Sequence, residues 1–329
     1  MQPVMLLFDP EEGQVVRGPL GAGEGWWAGA AGAFHDPNSD RFYLTYRYRR
    51  PRGVEPDRGG EFVIATGTDG IHFEDCSRLT KDQLGSASIE RGCLRRLPDG
   101  VWRLWISYVD PADNRWCIDS LDARTPDCFD PADRRPVFRA PDLGLDGIKD
   151  PWVFCEGPAW YMVVSLAERA PGAETRSDHE LHHHADAYDT GLILAHAGLA
   201  VSYDAEHWHW LGKTLACRRP ETDWDGYSSR IGSIVRTGNC YTAYYDGAIG
   251  VRNHYDEPTS LAVSFDLRHW TRLSPDRPLL RSPHGTGCCR YFDTLEVHGT
   301  RYVYYEYSRP DGSHELRVKT TGAPSGGPE

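Results

Sequence analysis

Eight ionisable residues have the types and settings that acid/base and anion-binding chemistry needs: Glu90, Arg91, Lys149, Asp150, Asp225, Arg230, His284 and Arg290. They fall in four short stretches, each holding glycine or proline, just ahead of aromatic and β-branched segments. Charges at such places are costly to bury unless they are paired or used. Asp150 and Glu90 could form a working pair of carboxyls, one giving and one taking a proton. Asp225 could replace either, and Asp246 and Glu306 are further acids within reach. Arg91, Lys149, Arg230 and Arg290 would make such a pocket locally positive, which suits a carboxylate, a phosphate or another anionic group. Trp26, Trp27, Trp224, Tyr227 and Tyr291 supply ring faces on which a sugar stacks. The ligand expected is therefore a sugar-like small molecule, with room for an anionic group. The competing expectation is that the charges pair with one another and only fill a channel.

Those stretches are far apart in the chain, so repeated elements must bring them together. A turn followed by a dense strand-like segment occurs at Arg41–Tyr46, Val101–Ile106, Ala159–Val164, Cys240–Tyr245 and Arg301–Tyr305. Taking Tyr43, Arg103, Tyr161, Tyr241 and Tyr302 as equivalent, the intervals are 60, 58, 80 and 61 residues. A shorter strand and turn precede each segment, so a hairpin recurs. Asp-x-x-His-aromatic follows in three repeats, Asp69 to Phe73, Asp204 to Trp208 and Asp266 to Trp270, with His72, His207 and His269 expected to be structural. Five nearly all-strand units of this length predict an all-β, five-bladed β-propeller with four-stranded antiparallel blades around a channel. The prediction is a single unit over residues 1–320, closed by pairing of the two chain ends, with Val4–Phe8 as the closing strand. Residues 321–329 read as a disordered tail. In such a ring the starts of the innermost strands converge at one mouth.

Composition narrows the possibilities. Lys plus Arg number 36 against 48 Asp plus Glu, a net charge of −12, which repels nucleic acid and anionic lipid. No apolar run reaches the roughly 20 residues that cross a bilayer. The first residues lack the basic start of a secretory signal, so a cytoplasmic protein is expected. Nine scattered cysteines without a CxxC pair read as reduced thiols.

In its repeat plan over residues 26–319 the chain resembles the five-bladed propeller glycosidases, of the arabinanase and xylosidase type and the β-mannoside phosphorylase type. Lys149-Asp150-Pro151-Trp152 is similar to the third-blade Asp-Pro element, which implies that Asp150 tunes the general acid and orients substrate. Ser282-Pro283-His284-Gly285 resembles the fifth-blade histidine element, which implies an axial water or metal ion near His284; no other cofactor is implied. Ile89-Glu90-Arg91 resembles the second-blade start of the phosphorylase type, which carries the proton-donating carboxylate. Two departures stand out. Ala28–Ala31 occupies the place of a first-blade Asp, and Ser228-Ser229-Arg230 the place of a fourth-blade Glu. Asp36 reads as a turn residue, and Glu156-Gly157-Pro158 as an outer turn that only mimics the missing acid's surroundings. Glycoside hydrolysis uses two carboxyls, about 5–5.5 Å apart for retention and about 6.5–9.5 Å for inversion. The pair would then be Asp150 with Glu90. A carbohydrate-binding propeller without catalysis, and one recruited for cyclisation or elimination on a metabolite, are the alternatives.

The long third interval holds about 20 extra residues near 169–190, including Asp178-His179-Glu180-Leu181-His182-His183-His184-Ala185-Asp186. A solvated polar loop is the plain reading. A lid over the mouth is a second, and a zinc-type site using His179 and His183 on one helical face a third.

Overall fold

The computed structural model describes residues 7–322. Its secondary structure is nearly all strand, in twenty strands that pair as consecutive antiparallel runs. The chain opens with β1 (Gln14–Arg17). The first full unit is β2 (Trp27–Asp36), β3 (Arg41–Arg50), β4 (Arg58–Gly67) and β5 (Glu74–Thr80). The second is β6 (Ile89–Arg96), β7 (Trp102–Val109), β8 (Trp116–Ala123) and β9 (Arg135–Phe138). The third is β10 (Gly147–Glu156), β11 (Ala159–Arg169), β12 (Ile193–Ser202) and β13 (His209–Leu215), with α1 (Asp178–His182) between β11 and β12. The fourth is β14 (Ser228–Thr237), β15 (Cys240–Ala248), β16 (Thr259–Ser264) and β17 (Thr271–Arg272). The last is β18 (Cys289–Val297), β19 (Thr300–Ser308) and β20 (His314–Gly322), and β1 joins it antiparallel to β20.

The first strands follow one another around a circuit. β2 packs against β6 and β18, β6 against β10, and β14 against β18, while β11 and β12 meet β14 to complete it. Glycines permit the close approach: a Cβ on Gly32 would lie 2.5 Å from the Gly92 carbonyl oxygen, and one on Gly59 only 1.9 Å from that of Ile89. Second strands such as β7 are buried along their whole length, because both sheet faces are covered by neighbouring units. Apolar clusters such as Phe62, Ile64, Leu94, Leu104 and Ile106 fill the space between adjacent units.

The Asp-x-x-His turns are one device used three times. Asp69, Asp204 and Asp266 accept from the His72, His207 and His269 amides at 2.8 Å and meet the same ring Nδ1 atoms at 2.6, 2.8 and 2.7 Å. Each aspartate thereby satisfies a tight turn, as an Asx residue does. The closing strand differs from expectation. Gln14–Arg17 pairs with β20, whereas Leu7 and Phe8 are not strand and Val4–Leu6 lie outside the described residues. In that pairing Gln14 stands opposite Val318 and Val15 opposite Arg317. β20 extends through Thr321 and Gly322, so these two are strand where a disordered tail was expected, and 323–329 lie outside the described residues.

Candidate functional site

Every first strand carries a β-bulge near its start. Ala30-Ala31, Glu90-Arg91, Asp150-Pro151 and Tyr291-Phe292 are the extra pairs in β2, β6, β10 and β18, and Gly232 is the extra residue in β14. A bulge re-aims the side chain it displaces. Ala30, Asp150 and Tyr291 adopt φ values of 57°, 58° and 54°, a left-handed conformation that non-glycine residues reach only under strain. Of the bulge residues, Glu90 and Tyr291 line one recess, and Asp150 stands behind it against Arg230.

The recess is lined by Arg47, Arg49, Glu90, Trp116, Lys149, Asp186, Tyr188, Ala195, Tyr227, Ser228, Arg230, His254, Tyr255, Glu257, Arg290 and Tyr291. Its free interior is about 20 Å³, on the order of one water. At its centre Glu90 faces Arg47 at 3.1 Å and Lys149 at 3.5 Å, and accepts from the Tyr291 hydroxyl at 3.0 Å. Arg230 donates to that hydroxyl at 3.1 Å and lies 3.4 Å from Asp150 and 2.7 Å from Glu257. Glu90 and Asp150 are therefore joined through one phenol and one guanidinium. Arg290 bridges Glu257 at 2.5 Å and Glu306 at 2.7 Å, and stacks over the rings of Trp27 and Tyr291.

Electrostatics sorts these carboxyls into two kinds. Burial alone would raise the Glu90 carboxyl, but Arg47, Lys149, Arg49 and Arg290 hold it well below the usual range. Glu306 is likewise held low against its burial, by Arg290 and His314. Both are ionised acceptors. Asp246 is the opposite case: burial pushes it up to about 6, with Arg230 and the Thr259 hydroxyl opposing. It accepts from Thr259 at 2.6 Å and from the Tyr291 amide at 3.0 Å, behind Arg230. Burial, then Asp150 and Glu90, raise the Tyr291 phenol, so it stays a neutral donor.

Of the expected residues, Glu90, Lys149, Tyr227, Arg230, Arg290 and Tyr291 line the recess, with Asp150, Asp246, Glu306 and Trp27 directly behind. Five stand elsewhere. Arg91, the second residue of its bulge pair, points the other way: it donates to the carbonyls of Ala31 at 2.7 Å and Gly232 at 2.6 Å and meets Asp293 at 3.4 Å. It pins four units together below the site. Asp225 is fully buried on Arg218 at 2.7 Å and Arg272 at 2.5 Å, and Trp224 packs on Tyr245 beside it. Trp26 lies over Gly21. His284 sits in a turn and pairs with Glu11 at 2.6 Å, so it does not serve as the axial histidine. Two other imidazoles stand by the charged centre: His254 lines the recess, and His314 stacks on Trp27 and bonds to Glu306 at 2.8 Å. Cys288, Glu306 and His314 bring potential ligand atoms together, but Glu306 is already held by Arg290.

Glu306 of β19 fills the space beside the alanines of β2: its Oε2 accepts from the Ala30 amide at 3.0 Å and lies 1.9 Å from where a Gly29 Cβ would stand. Sequence reasoning missed Arg47, Arg49, Glu257 and the insertion residues Asp186 and Tyr188. The alternation Tyr46-Arg47-Tyr48-Arg49 was the available signal, since arginine repeating within a buried strand needs a purpose. In the insertion, His179 and His183 stack with ring centres 5.0 Å apart on the exposed side of α1 and His184 meets His183 at 3.3 Å, while His182 pairs with Asp146 at 3.2 Å, close to Asp178.

No family model matches the chain, and no curated protein matches it. Solved structures do. A protein described as a glycoside hydrolase superposes with a TM-score of 0.66 at 14% identity, over 96% of this chain and 95% of that one. A β-1,2-mannobiose phosphorylase from Listeria innocua gives 0.62 at 12%, over 93% and 94%. A thermostable family-43 glycoside hydrolase gives 0.62 at 12%, over 91% of each chain. At these identities the likeness is one of fold, and the chain has the fold of the propeller-type, glycosidase-like enzymes.

Proposed function

We propose that residues 1–320 form one five-bladed propeller and that the recess is the active site of a glycosidase-like enzyme acting on a sugar or sugar-like molecule. The observation that carries this reading is a set of buried polar atoms without partners around one small recess: Arg47 Nε and Nη1, Arg230 Nε, Asp150 Oδ1, Ser228 Oγ and Trp116 Nε1. Unpaired buried donors and acceptors are costly, and a molecule rich in hydroxyls satisfies both kinds. The five lining cations, Arg47, Arg49, Lys149, Arg230 and Arg290, suit an anionic group on that molecule or a phosphate co-substrate. Glu90, held ionised, takes the role of charge stabiliser; Asp150, with one oxygen unpaired just behind the lining, is its partner. No metal is invoked. Nine free thiols fit a reducing compartment such as the cytoplasm.

A second reading, sugar binding without catalysis, draws on one observation: Glu90 is neutralised by Arg47 and Lys149. Incubation with nitrophenyl glycosides and β-1,2-mannobiose, with and without inorganic phosphate, separates the two. Turnover lost in both Glu90→Gln and Asp150→Asn supports the enzyme reading, and turnover that survives both rejects the assignment. Calorimetric binding of a sugar with no turnover favours the second reading.

A further inference from the structure

The segment between β11 and β12 crosses the mouth of the recess. It leaves one unit and is tied to three others. At its root, Asp178 meets Arg115 at 2.8 Å and Arg169 at 2.5 Å, and His182 meets Asp146 at 3.2 Å. At its tip, Asp186 takes Arg58 at 3.3 Å, Arg52 at 3.4 Å and the Tyr255 hydroxyl at 2.9 Å, and Arg58 also donates to the Ala185 carbonyl at 2.9 Å. Asp189 pairs with Arg52 at 2.6 Å and with His254 at 3.2 Å. The Tyr227 hydroxyl donates to the Tyr188 carbonyl at 2.7 Å. Arg52 belongs to the β3–β4 connection and Arg58 begins β4, while His254 and Tyr255 belong to the β15–β16 connection.

Two side chains of this segment form walls of the recess. Tyr188 lies over Lys149, 4.4 Å from the ammonium to the ring centre, and Lys149 is the cation beside Glu90. Asp186 closes the outer edge. With the segment seated, the interior of about 20 Å³ holds on the order of one water and no sugar ring. Anything larger needs a wall of the recess to move, and Asp186 and Tyr188 are the walls that this segment supplies. Glycines with positive φ stand near both ends, Gly172 at 88° and Gly191 at 71°, and Gly172 has nothing within 4 Å of where a Cβ would be.

We propose that residues 172–191 are a lid, latched by Asp186 and Asp189 to Arg52, Arg58 and His254, whose Tyr188 and Asp186 form the inner face that closes on the ligand. The proposal extends the reading of the recess as a sugar site but is tested without a ligand. The chain has four lysines, Lys81, Lys149, Lys213 and Lys319, and only Lys149 lies under the lid. Brief acetylation with an N-hydroxysuccinimide ester, read by peptide mass spectrometry, measures how often Lys149 is uncovered. Asp186→Asn and Arg58→Met each remove latch bonds yet change the local charge in opposite senses. Both are expected to speed Lys149 acetylation on the order of tenfold, the factor for losing one charge-assisted hydrogen bond, while Lys213 and Lys319 keep their rates. Acceleration in only one variant would trace to charge instead of opening and would overturn the proposal, as would native Lys149 reacting as fast as Lys319. A sugar that protects Lys149 in native protein supports the site reading as well; acceleration in both variants with no protecting sugar upholds the lid while counting against the sugar.

Discussion

Replacing Arg91 by methionine separates a residue that holds the ring from one that serves the site. Arg91 is 1% exposed and links four units, with bonds to the Ala31 and Gly232 carbonyls and an ion pair to Asp293. Methionine fills much of the volume but removes the charge and both donors. Breaking a buried ion pair from one side costs about 3–5 kcal/mol. Each orphaned carbonyl adds about 1–3 kcal/mol. Asp293 retains the Ala33 amide at 2.8 Å, the Trp152 indole at 2.9 Å and the Thr294 amide at 2.8 Å, which argues for the lower end of each range. The expected loss is therefore about 4–6 kcal/mol, a large part of the roughly 5–15 kcal/mol that keeps a domain folded. Urea denaturation at low temperature measures it, and adding Asp293→Asn should recover about 2 kcal/mol by removing the unpaired charge. A loss below about 1 kcal/mol would refute the reasoning. So would unchanged stability with sugar binding abolished, because Arg91 would then belong to the site.

The remaining predictions concern protons, the lid and thiols. The folded protein holds the Asp246 proton up to about pH 6, against 3.8 without the fold, so this group's contribution to stability is full below about pH 4 and is lost as pH rises through about 6. Asp246→Asn should flatten that part of the stability–pH curve by about 3 kcal/mol, read from denaturation midpoints across the range; an unaltered slope would mean that the carboxyl is not raised. Ser177 caps α1 through a reciprocal pair with Glu180, so Ser177→Ala should weaken the helix by about 1 kcal/mol and speed amide exchange in Glu180–His183 without moving the global midpoint. Exposed Cys128 and Cys155 should react promptly with a disulfide reagent, whereas buried Cys93, Cys117, Cys288 and Cys289 should react only on unfolding; prompt reaction of Cys288 would contradict its place under Arg290.

The amino-acid sequence by itself determined the repeat. Aromatic, β-branched segments behind glycine and asparagine or aspartate turns, at nearly constant spacing, can bury their faces only against copies of themselves, and the all-β plan follows. It also placed Glu90 and Asp150, because strand polarity puts the starts of equivalent strands at one end. It could not tell which face of each start would be used. Local patterns treat Glu90 and Arg91 alike, yet one bulge sends the first to the recess and the second the other way. The same bulge is invisible in β2, where alanines fill it. Partners across units were equally out of reach: Glu306 occupies the space beside Gly29, and Asp186 arrives from an insertion that reads as a polar loop. Such meetings depend on distances between residues hundreds of positions apart, which only the tertiary arrangement sets.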